Sequence, residues 1–200
     1  MTPKHLKAVI HIRRLLRNGF LRVYEYEFDV EKHGGGMARL SREVMERGNS
    51  VAVLGHDPNR HEVVLGNEFR PGVLVAGDYP YPDNLIAGAI DDGETALEAA
   101  VREMREETGL VLSNSLLVHP GAYVSSGGTS EKIAIVYGTV NTSQAGGVHG
   151  NREEDEDILS VVLPEKVFIE RVRSGEINDL KTLVAGYWLA ERQAAGGWRR

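Results

Sequence analysis

Apolar and polar residues alternate over several short segments of this chain, and such alternation predicts β-strands with one buried face. The first of these segments, residues 8–30, is interrupted by Asn18-Gly19. Asn-Gly favours the tight turn of a β-hairpin, so we predict a hairpin here, with residues 20–28 as its stronger strand. Residues 32–48 contain three consecutive glycines and many charged side chains. They predict a turn followed by a polar connection.

Later segments of alternating or continuous apolar character predict further strands at residues 50–55, 62–69, 115–124, 131–141 and 158–163. The turn formers Asp57, Pro58 and Asn59 separate the first two of these strands. Residues 71–84 are rich in proline and glycine, so we expect a loop there. Residues 142–157 are glycine-rich and then acidic, which predicts a long exposed loop.

One segment has a strong helical pattern, with apolar residues at helical spacing between residues 96 and 108. Thr95 is a suitable N-cap, and Gly109 is a suitable glycine to end the helix. Later segments predicted to be helical are residues 164–174 and 179–193.

Strands that alternate with two or three helices predict a domain with a mixed central sheet, of the α+β class or, as the alternative, the α/β class. The predicted organisation is a β-rich N-terminal subdomain at residues 1–47, a main domain at residues 48–193 and a disordered tail at residues 194–200.

The charge and composition exclude several classes of function. With 23 basic and 29 acidic residues, the formal charge is −6, which argues against nucleic acid as a partner. A phosphate-bearing substrate would therefore have to be received by metal ions or by local arginines. The chain has no cysteine, so disulfides and thiolate metal sites are excluded. No apolar run approaches the roughly 20 residues that span a bilayer, so we expect no membrane contact and a cytoplasmic location.

The predicted helix carries three glutamates, Glu103, Glu106 and Glu107, within little more than one turn. Like charges at this spacing destabilise a helix unless positive charge compensates them. Carboxylate oxygens suit Mg²⁺ or Mn²⁺, and the backbone carbonyl of Ala87, next to Gly88, could reach the same ion. The alternative interpretation, a solvated helix face, remains open on the spacing of the glutamates alone.

The segment 88–110, GAIDDGETALEAAVREMREETGL, resembles the Nudix box without a gap or a substitution. Seven fixed identities would coincide by chance about once in 10⁸ trials. The resemblance to Nudix hydrolases implies an α/β/α sandwich in which the box forms a loop–helix–loop. It also implies hydrolysis of a nucleoside diphosphate linked to another moiety, with Mg²⁺ as the cofactor and Mn²⁺ as an alternative.

The flanking segments 121–140 and 146–158 resemble the bacterial ADP-ribose pyrophosphatase subfamily of Nudix hydrolases. The likeness extends from about residue 18 to residue 190. GDP-mannose pyrophosphatases share nearly all of these features, so two substrates stay open. The first is ADP-ribose, hydrolysed to AMP and ribose 5-phosphate, and the second is GDP-mannose or another nucleotide sugar. A third hypothesis is a ligand-sensing module that has kept the fold and lost turnover.

The resemblance implies a role for particular residues at the reaction centre. The metal ligands would be the Ala87 carbonyl, Glu103, Glu107 and Glu156. Glu106 would lie beside them, and Arg102 would brace the box by a salt bridge to Glu94. Glu154 would act as general base, with Glu153 as the alternative.

Further residues correspond, by the same resemblance, to substrate-binding positions: Arg70, Arg42, Phe20, Gly128, Thr129 and Glu131. For each of them a structural role is also open: a surface charge for the arginines, a core side chain for Phe20 and a hairpin turn for residues 127–131. Two positions depart from the subfamily pattern: Asn84 stands where most relatives have glutamate, and Ser126 where proline is usual. The N-terminal segment forms a small sheet between two subunits in relatives, so a homodimer is expected on resemblance alone.

Overall fold

The computed structural model describes residues 5–151 and 155–196, which form two β-sheets and four α-helices. The strands are β1 Ala8–Asn18, β2 Arg22–Glu31, β3 Met37–Glu46, β4 Ser50–Asp57, β5 Glu62–Asn67, β6 Asp83–Asn84, β7 Ile86–Ala89, β8 Ser113–Tyr123, β9 Lys132–Thr139, β10 Val148–His149 and β11 Ile158–Pro164. The helices are α1 Pro71–Val75, α2 Ala96–Thr108, α3 Glu165–Ser174 and α4 Leu180–Ala194.

The N-terminal residues form a three-stranded antiparallel sheet with β2 in its centre. The predicted hairpin is present, since β1 pairs with β2 up to the pair Asn18 and Arg22. The prediction of a polar connection after residue 36 is wrong, because residues 37–46 are strand β3. Its charged side chains hid the strand in the sequence, whereas pairing along the whole of β2 supplies the backbone partners that hold it extended.

The second sheet has eight strands in the order β10-β11-β5-β4-β9-β8, with β6 paired to β5 and β7 paired to β4. The pair β4–β9 is parallel, whereas β5 and β7 are antiparallel to β4. The sheet is therefore mixed, as the sequence predicted. The first two residues of the box belong to β7, and the expected loop follows at residues 90–95 before α2.

Side chains alternate between the two faces of this sheet, and each face has its own apolar core. On β4, Val51 and Val53 pack with the α2 residues Ala100 and Met104. The intervening Ala52 and Leu54 belong to the core that contains residues of α3 and α4. Helices cover both faces, which confirms the predicted α/β/α arrangement.

The helix α2 follows the local signals of its sequence closely. Thr95 and Glu98 form a reciprocal capping box at its start, in which each side chain bonds to the backbone N–H of the other. Gly109 ends the helix in the left-handed conformation with φ 72°, and its N–H bonds to the Arg105 carbonyl. That conformation favours glycine.

Two predicted loops contain short regular elements. Residues 71–75 form helix α1, which begins at Pro71, a residue well suited to a first helical turn. Within residues 142–157, Thr142–Gln144 is a 3₁₀ turn and β10 extends the edge of the sheet at β11. Of the predicted tail, residues 194–196 are described and α4 includes Ala194.

The chain divides into two compact units, residues 1–48 with 123–132 and residues 49–122 with 133–200. The first unit contains the three-stranded sheet, and the second contains most of the eight-stranded sheet and all four helices. Among the helices of the described residues, none is long and apolar enough to cross a membrane.

Candidate active site

Two of the three clustered glutamates on α2 point into the protein. Glu103 and Glu107, one helical turn apart, are only 7% and 4% exposed. Glu106 lies on the exposed side of the helix. The interpretation of these glutamates as a fully solvated helix face is therefore wrong for Glu103 and Glu107.

The buried pair faces strand β7. A Cβ atom built on Gly88 would collide with the Glu103 carboxylate, so only glycine leaves room for that group. The Ala87 N–H donates to Glu107 Oε2 over 3.4 Å. Both glutamates therefore lie against the backbone that begins the box.

Arg102 joins the helix to the loop before it. Its guanidinium donates to both Glu94 oxygens, at 3.0 and 2.9 Å, and to the Ala89 carbonyl at 2.9 Å. Its Nη1 donates to Glu103 over 2.7 Å and to Glu106 over 3.2 Å. The predicted salt bridge to Glu94 is present, and the same side chain also orients one of the buried glutamates.

The carboxyl groups around α2 repel one another electrostatically. Burial, together with the nearby charges of Glu103, Glu68 and Glu156, raises the pKa of Glu107 to about 9. Burial also raises the pKa of Glu103 above its ordinary value, with Glu106 and Glu156 adding to the effect. These groups therefore share one acidic region, and it includes Glu68, which the sequence analysis did not single out.

Glu68 follows strand β5 and forms an ion pair with Arg70 Nη2. The Arg70 backbone N–H donates to the Pro80 carbonyl over 2.8 Å, which fixes the start of the loop after β5. Arg70 thus lies close to the acidic region, and its substrate-binding role stays a prediction. The only signal of Glu68 in the sequence is its place two residues before Arg70.

The acidic loop after β10 is anchored at both ends. The Gly150 N–H donates to the Glu106 carbonyl over 3.2 Å. Across the loop, Asn151 N–H donates to Glu156 Oε2 over 2.9 Å, and Glu156 N–H donates to the Asn151 carbonyl over 3.2 Å. The predicted base Glu154 and its alternative Glu153 lie outside the described residues.

The donor set of this region suits a hard divalent cation. In residues 5–151 and 155–196 no three acidic or histidine side chains already surround one point as metal ligands. Glu103 is held by Arg102, and Glu156 by the Asn151 N–H. However, buried carboxylates with raised pKa values are groups that a cation stabilises in their ionised form. Carboxylate and carbonyl oxygens are also the ligands that Mg²⁺ accepts.

The other predicted substrate residues belong to the first compact unit. Arg42 lies on β3, in register with Tyr26 of β2. Phe20, at the tip of the first hairpin, is 94% exposed, so the interpretation of Phe20 as a core side chain is wrong.

The glycine-rich turn at residues 125–129 has a structural role in that unit. The Gly128 carbonyl accepts a hydrogen bond from the Met45 N–H over 2.9 Å, and Thr129 Oγ1 accepts one from the Glu131 N–H over 3.1 Å. Glu131 is buried and lies 3.8 Å from Arg47 Nε. The turn therefore docks on the end of β3, and its substrate-binding role stays a prediction.

Asn84, which departs from the subfamily pattern, is 4% exposed and pairs with Gly66 on β5. Its Oδ1 has no hydrogen-bond partner among the described residues. A buried acceptor without a partner is costly, which marks this position as unusual.

Comparison with known proteins agrees with this architecture. The NUDIX domain model matches residues 46–181. The ADP-ribose pyrophosphatase of Escherichia coli is 34% identical over 178 residues, which cover 88% of this chain and 85% of that protein. The GDP-mannose pyrophosphatase of Cronobacter sakazakii is 31% identical over 176 residues, which cover 86% of this chain and 88% of that protein.

The fold also matches a solved structure described as an ADP compounds hydrolase. The TM-score is 0.74 at 21% identity, and the match covers 98% of this chain and 99% of that one. At this identity the likeness concerns the fold. Together, the match of the domain model to most of the chain, the two pyrophosphatase relatives and the geometry of the box establish that this chain belongs to the Nudix family.

Proposed function

We propose that this protein hydrolyses the pyrophosphate bond of a nucleoside diphosphate sugar in a Mg²⁺-dependent reaction, with ADP-ribose as substrate and AMP and ribose 5-phosphate as products. The observation that carries the proposal is the pair of buried glutamates, Glu103 and Glu107, against Gly88 and Ala87. The names of the relatives at 34% and 31% identity support a nucleotide sugar as substrate.

Glu103, Glu107, Glu156 and the Ala87 carbonyl would hold Mg²⁺, with Glu106 beside them. When bound, the cation would offset the charge of the diphosphate and make a bound water more acidic. Arg102 fixes Glu103 by the 2.7 Å bond and braces the loop through Glu94. This network keeps the carboxylate from turning away from the site.

Arg70 would bind a phosphate of the substrate, because a guanidinium offers paired donors to phosphate oxygens. Glu154 would accept a proton from the attacking water. The water oxygen then forms a bond to one phosphorus while the bond from that phosphorus to the bridging oxygen breaks, so each product keeps one phosphate. Glu153 is the alternative base.

A homodimer and five further substrate-binding residues complete the proposal. Arg42, Phe20, Gly128, Thr129 and Glu131 would contribute to binding the substrate. Exposed apolar residues on the N-terminal sheet support an interface with a second copy: Val9, Ile10, Ile12, Leu15 and Leu16. Sedimentation of the full chain tests this, with Ile12→Glu expected to shift a dimer towards monomer. A wild-type chain that sediments as a monomer would contradict the dimer.

GDP-mannose is the second candidate substrate, and the relative from Cronobacter sakazakii favours it. Asn84 also leaves the preference among sugars open, because the usual carboxylate is absent near the site. We expect the reaction to take place in the cytoplasm.

A panel assay tests the proposed function. The full chain is incubated with Mg²⁺ and ADP-ribose, GDP-mannose or ADP-glucose, and nucleoside monophosphate is measured. We expect AMP from ADP-ribose at the highest rate and no product with chelator present. GMP as the main product would favour the second candidate. Absence of monophosphate from all three would reject hydrolysis and leave a ligand-sensing module.

A further inference from the structure

We infer that Glu68 is a positioning residue for Arg70, and that its carboxylate holds the guanidinium beside the acidic site in the orientation that receives a substrate phosphate. This inference rests on the proposed function and adds a residue to it. Arg70 is the phosphate-binding arginine of that proposal, and Glu68 acts through it.

The strand β5 determines which way Glu68 points. Val64 packs in the core next to α2, and a Cβ on Gly66 would face Ile158, Ile86 and Glu107 Oε2. Glu68 is the first residue after β5, and continuing the alternation of the strand by one residue puts it on the side of Val64 and Gly66. Glu68 therefore extends the α2 face of the sheet towards the buried glutamates.

Electrostatic contacts agree with this placement. The charge of Glu68 contributes to the raised pKa of Glu107. The pKa of Glu68 is itself raised, mainly by burial and in part by the charge of Glu156. A half-buried carboxylate among like charges is unfavourable unless cations compensate it. Arg70 and Lys181 are the cations that lower the pKa of Glu68, so both of them offset part of the repulsion from the acidic region.

The alternative role for Glu68 is that of another metal ligand. An ion pair alone does not exclude that role, since Glu103 also pairs with an arginine, but the ion-pair partner of Glu68 is the proposed phosphate-binding residue itself. Arg70 Nε is buried and has no hydrogen-bond partner among the described residues, so one donor of this guanidinium is unsatisfied. These contacts favour Glu68 as the residue that orients Arg70.

Without Glu68, the Arg70 guanidinium loses its ion-pair partner. The guanidinium would then no longer be fixed in the one orientation that receives the substrate phosphate. Loss of Glu68 should therefore weaken substrate binding more than it slows the chemical step.

The experiment compares Glu68→Ala, Glu68→Gln, Arg70→Ala and the Glu68→Ala/Arg70→Ala double variant. We expect Glu68→Ala to raise KM about tenfold with kcat within about threefold of the wild type, and Glu68→Gln to raise KM less. The double variant should have the KM of Arg70→Ala within about twofold, because Glu68 has nothing to orient once Arg70 is removed. The Mg²⁺ concentration for half-maximal rate should not change.

Glu176→Ala is the matched control, since Glu176 is an exposed glutamate whose Oε1 lies 2.8 Å from Arg171 Nε, outside the site. It should leave KM and kcat unchanged. Additive effects of Glu68→Ala and Arg70→Ala would overturn the inference. So would an unchanged KM, or a large rise in the Mg²⁺ requirement together with a fall in kcat, which would mark Glu68 as a metal ligand.

Calorimetric titration with inorganic pyrophosphate and Mg²⁺ separates this inference from the proposed function. If the wild type hydrolyses no nucleotide sugar, the proposed function fails. The titration still tests Glu68. Weaker pyrophosphate binding by Glu68→Ala than by the wild type supports the inference, provided that Glu68→Ala causes no further weakening in the Arg70→Ala background. Equal binding by the wild type and Glu68→Ala, or no pyrophosphate binding by the wild type, overturns it.

Discussion

The Glu103 carboxylate occupies the space that a side chain at position 88 would need, because a Cβ on Gly88 would collide with it. The strand β7 and the helix α2 therefore approach closely only because residue 88 is glycine. This relationship connects a glycine in the first position of the box to a proposed metal ligand fifteen residues later in the chain.

Gly88→Ala should displace the Glu103 carboxylate and lower kcat about 10²-fold, the cost of a misplacement of about 1 Å at a catalytic group. The measurement is steady-state hydrolysis of the nucleotide sugar that the panel identifies. Gly72→Ala is the control, since a Cβ there meets no atom within 4 Å. A Gly88→Ala variant with wild-type kcat would contradict the proposed role of Glu103.

Local signals explain which parts of the fold the sequence could predict. Helix α2 was predicted within its observed limits because Thr95 and Gly109 mark its ends in the sequence itself. Strand β3 was missed because half of its residues are polar or charged and because its partner β2 supplies the pairing. Helix α1 was missed because it has only five residues and lies in a segment rich in proline and glycine.

The residues of the candidate site could likewise be predicted only in part. Glu103 and Glu107 could be predicted from their spacing on one helix, and the salt bridge from Arg102 to Glu94 from resemblance. The place of Glu68 in the acidic region could not be predicted, because it depends on the three-dimensional approach of β5 and α2 and on no motif of its own.

The hydrogen bonds of Arg102 should depend on the shape of its side chain and not only on its positive charge. Arg102→Lys keeps the charge but cannot donate to Glu94, Ala89 and Glu103 together. We expect a loss of about 1–3 kcal/mol in the free energy of unfolding, measured by urea denaturation, and a lower kcat. Arg105→Lys, an exposed position on the same helix, should change neither quantity. Equal stability of the two variants would show that the network contributes little.

Glu107 should make the metal-free protein less stable as the pH rises. Its pKa is about 9 in the fold, and the unfolded chain ionises near 4.5. The folded state therefore binds the extra proton between these values, and its stability falls as the pH rises from about 4.5 to about 9. Glu107→Gln should flatten this dependence in urea denaturation with chelator present, whereas Glu170→Gln, exposed on α3, should not.

Mg²⁺ should reverse this destabilisation, because it favours the ionised Glu107. At a concentration about 100-fold above its dissociation constant, a ligand that binds only the folded state stabilises by about 2.7 kcal/mol. We expect Mg²⁺ to raise the thermal midpoint of the wild type at pH 8 and to have little effect on Glu107→Gln. An equal rise in both proteins would place the bound cation elsewhere.

A buried histidine should make the second compact unit sensitive to acid. His56 is 2% exposed, and its ring bonds to the Tyr137 hydroxyl over 3.0 Å and to Glu165 Oε2 over 2.5 Å. Burial lowers the pKa of His56, although Glu165 and Asp57 act in the opposite direction and His61 acts with burial. Burial is the largest of these causes, and the neutral ring can accept from Tyr137 and donate to Glu165.

A histidine that stays neutral in the fold stabilises it above the ordinary pKa of about 6.5, and this contribution is lost as the pH falls below that value. We expect His56→Gln to be less stable than the wild type at pH 7.5 by about 1–2 kcal/mol, with a smaller difference at pH 5.5. Urea denaturation at both pH values measures this, with His33→Gln, an exposed site, as the control. A constant difference between wild type and His56→Gln would mean that His56 does not titrate differently on unfolding.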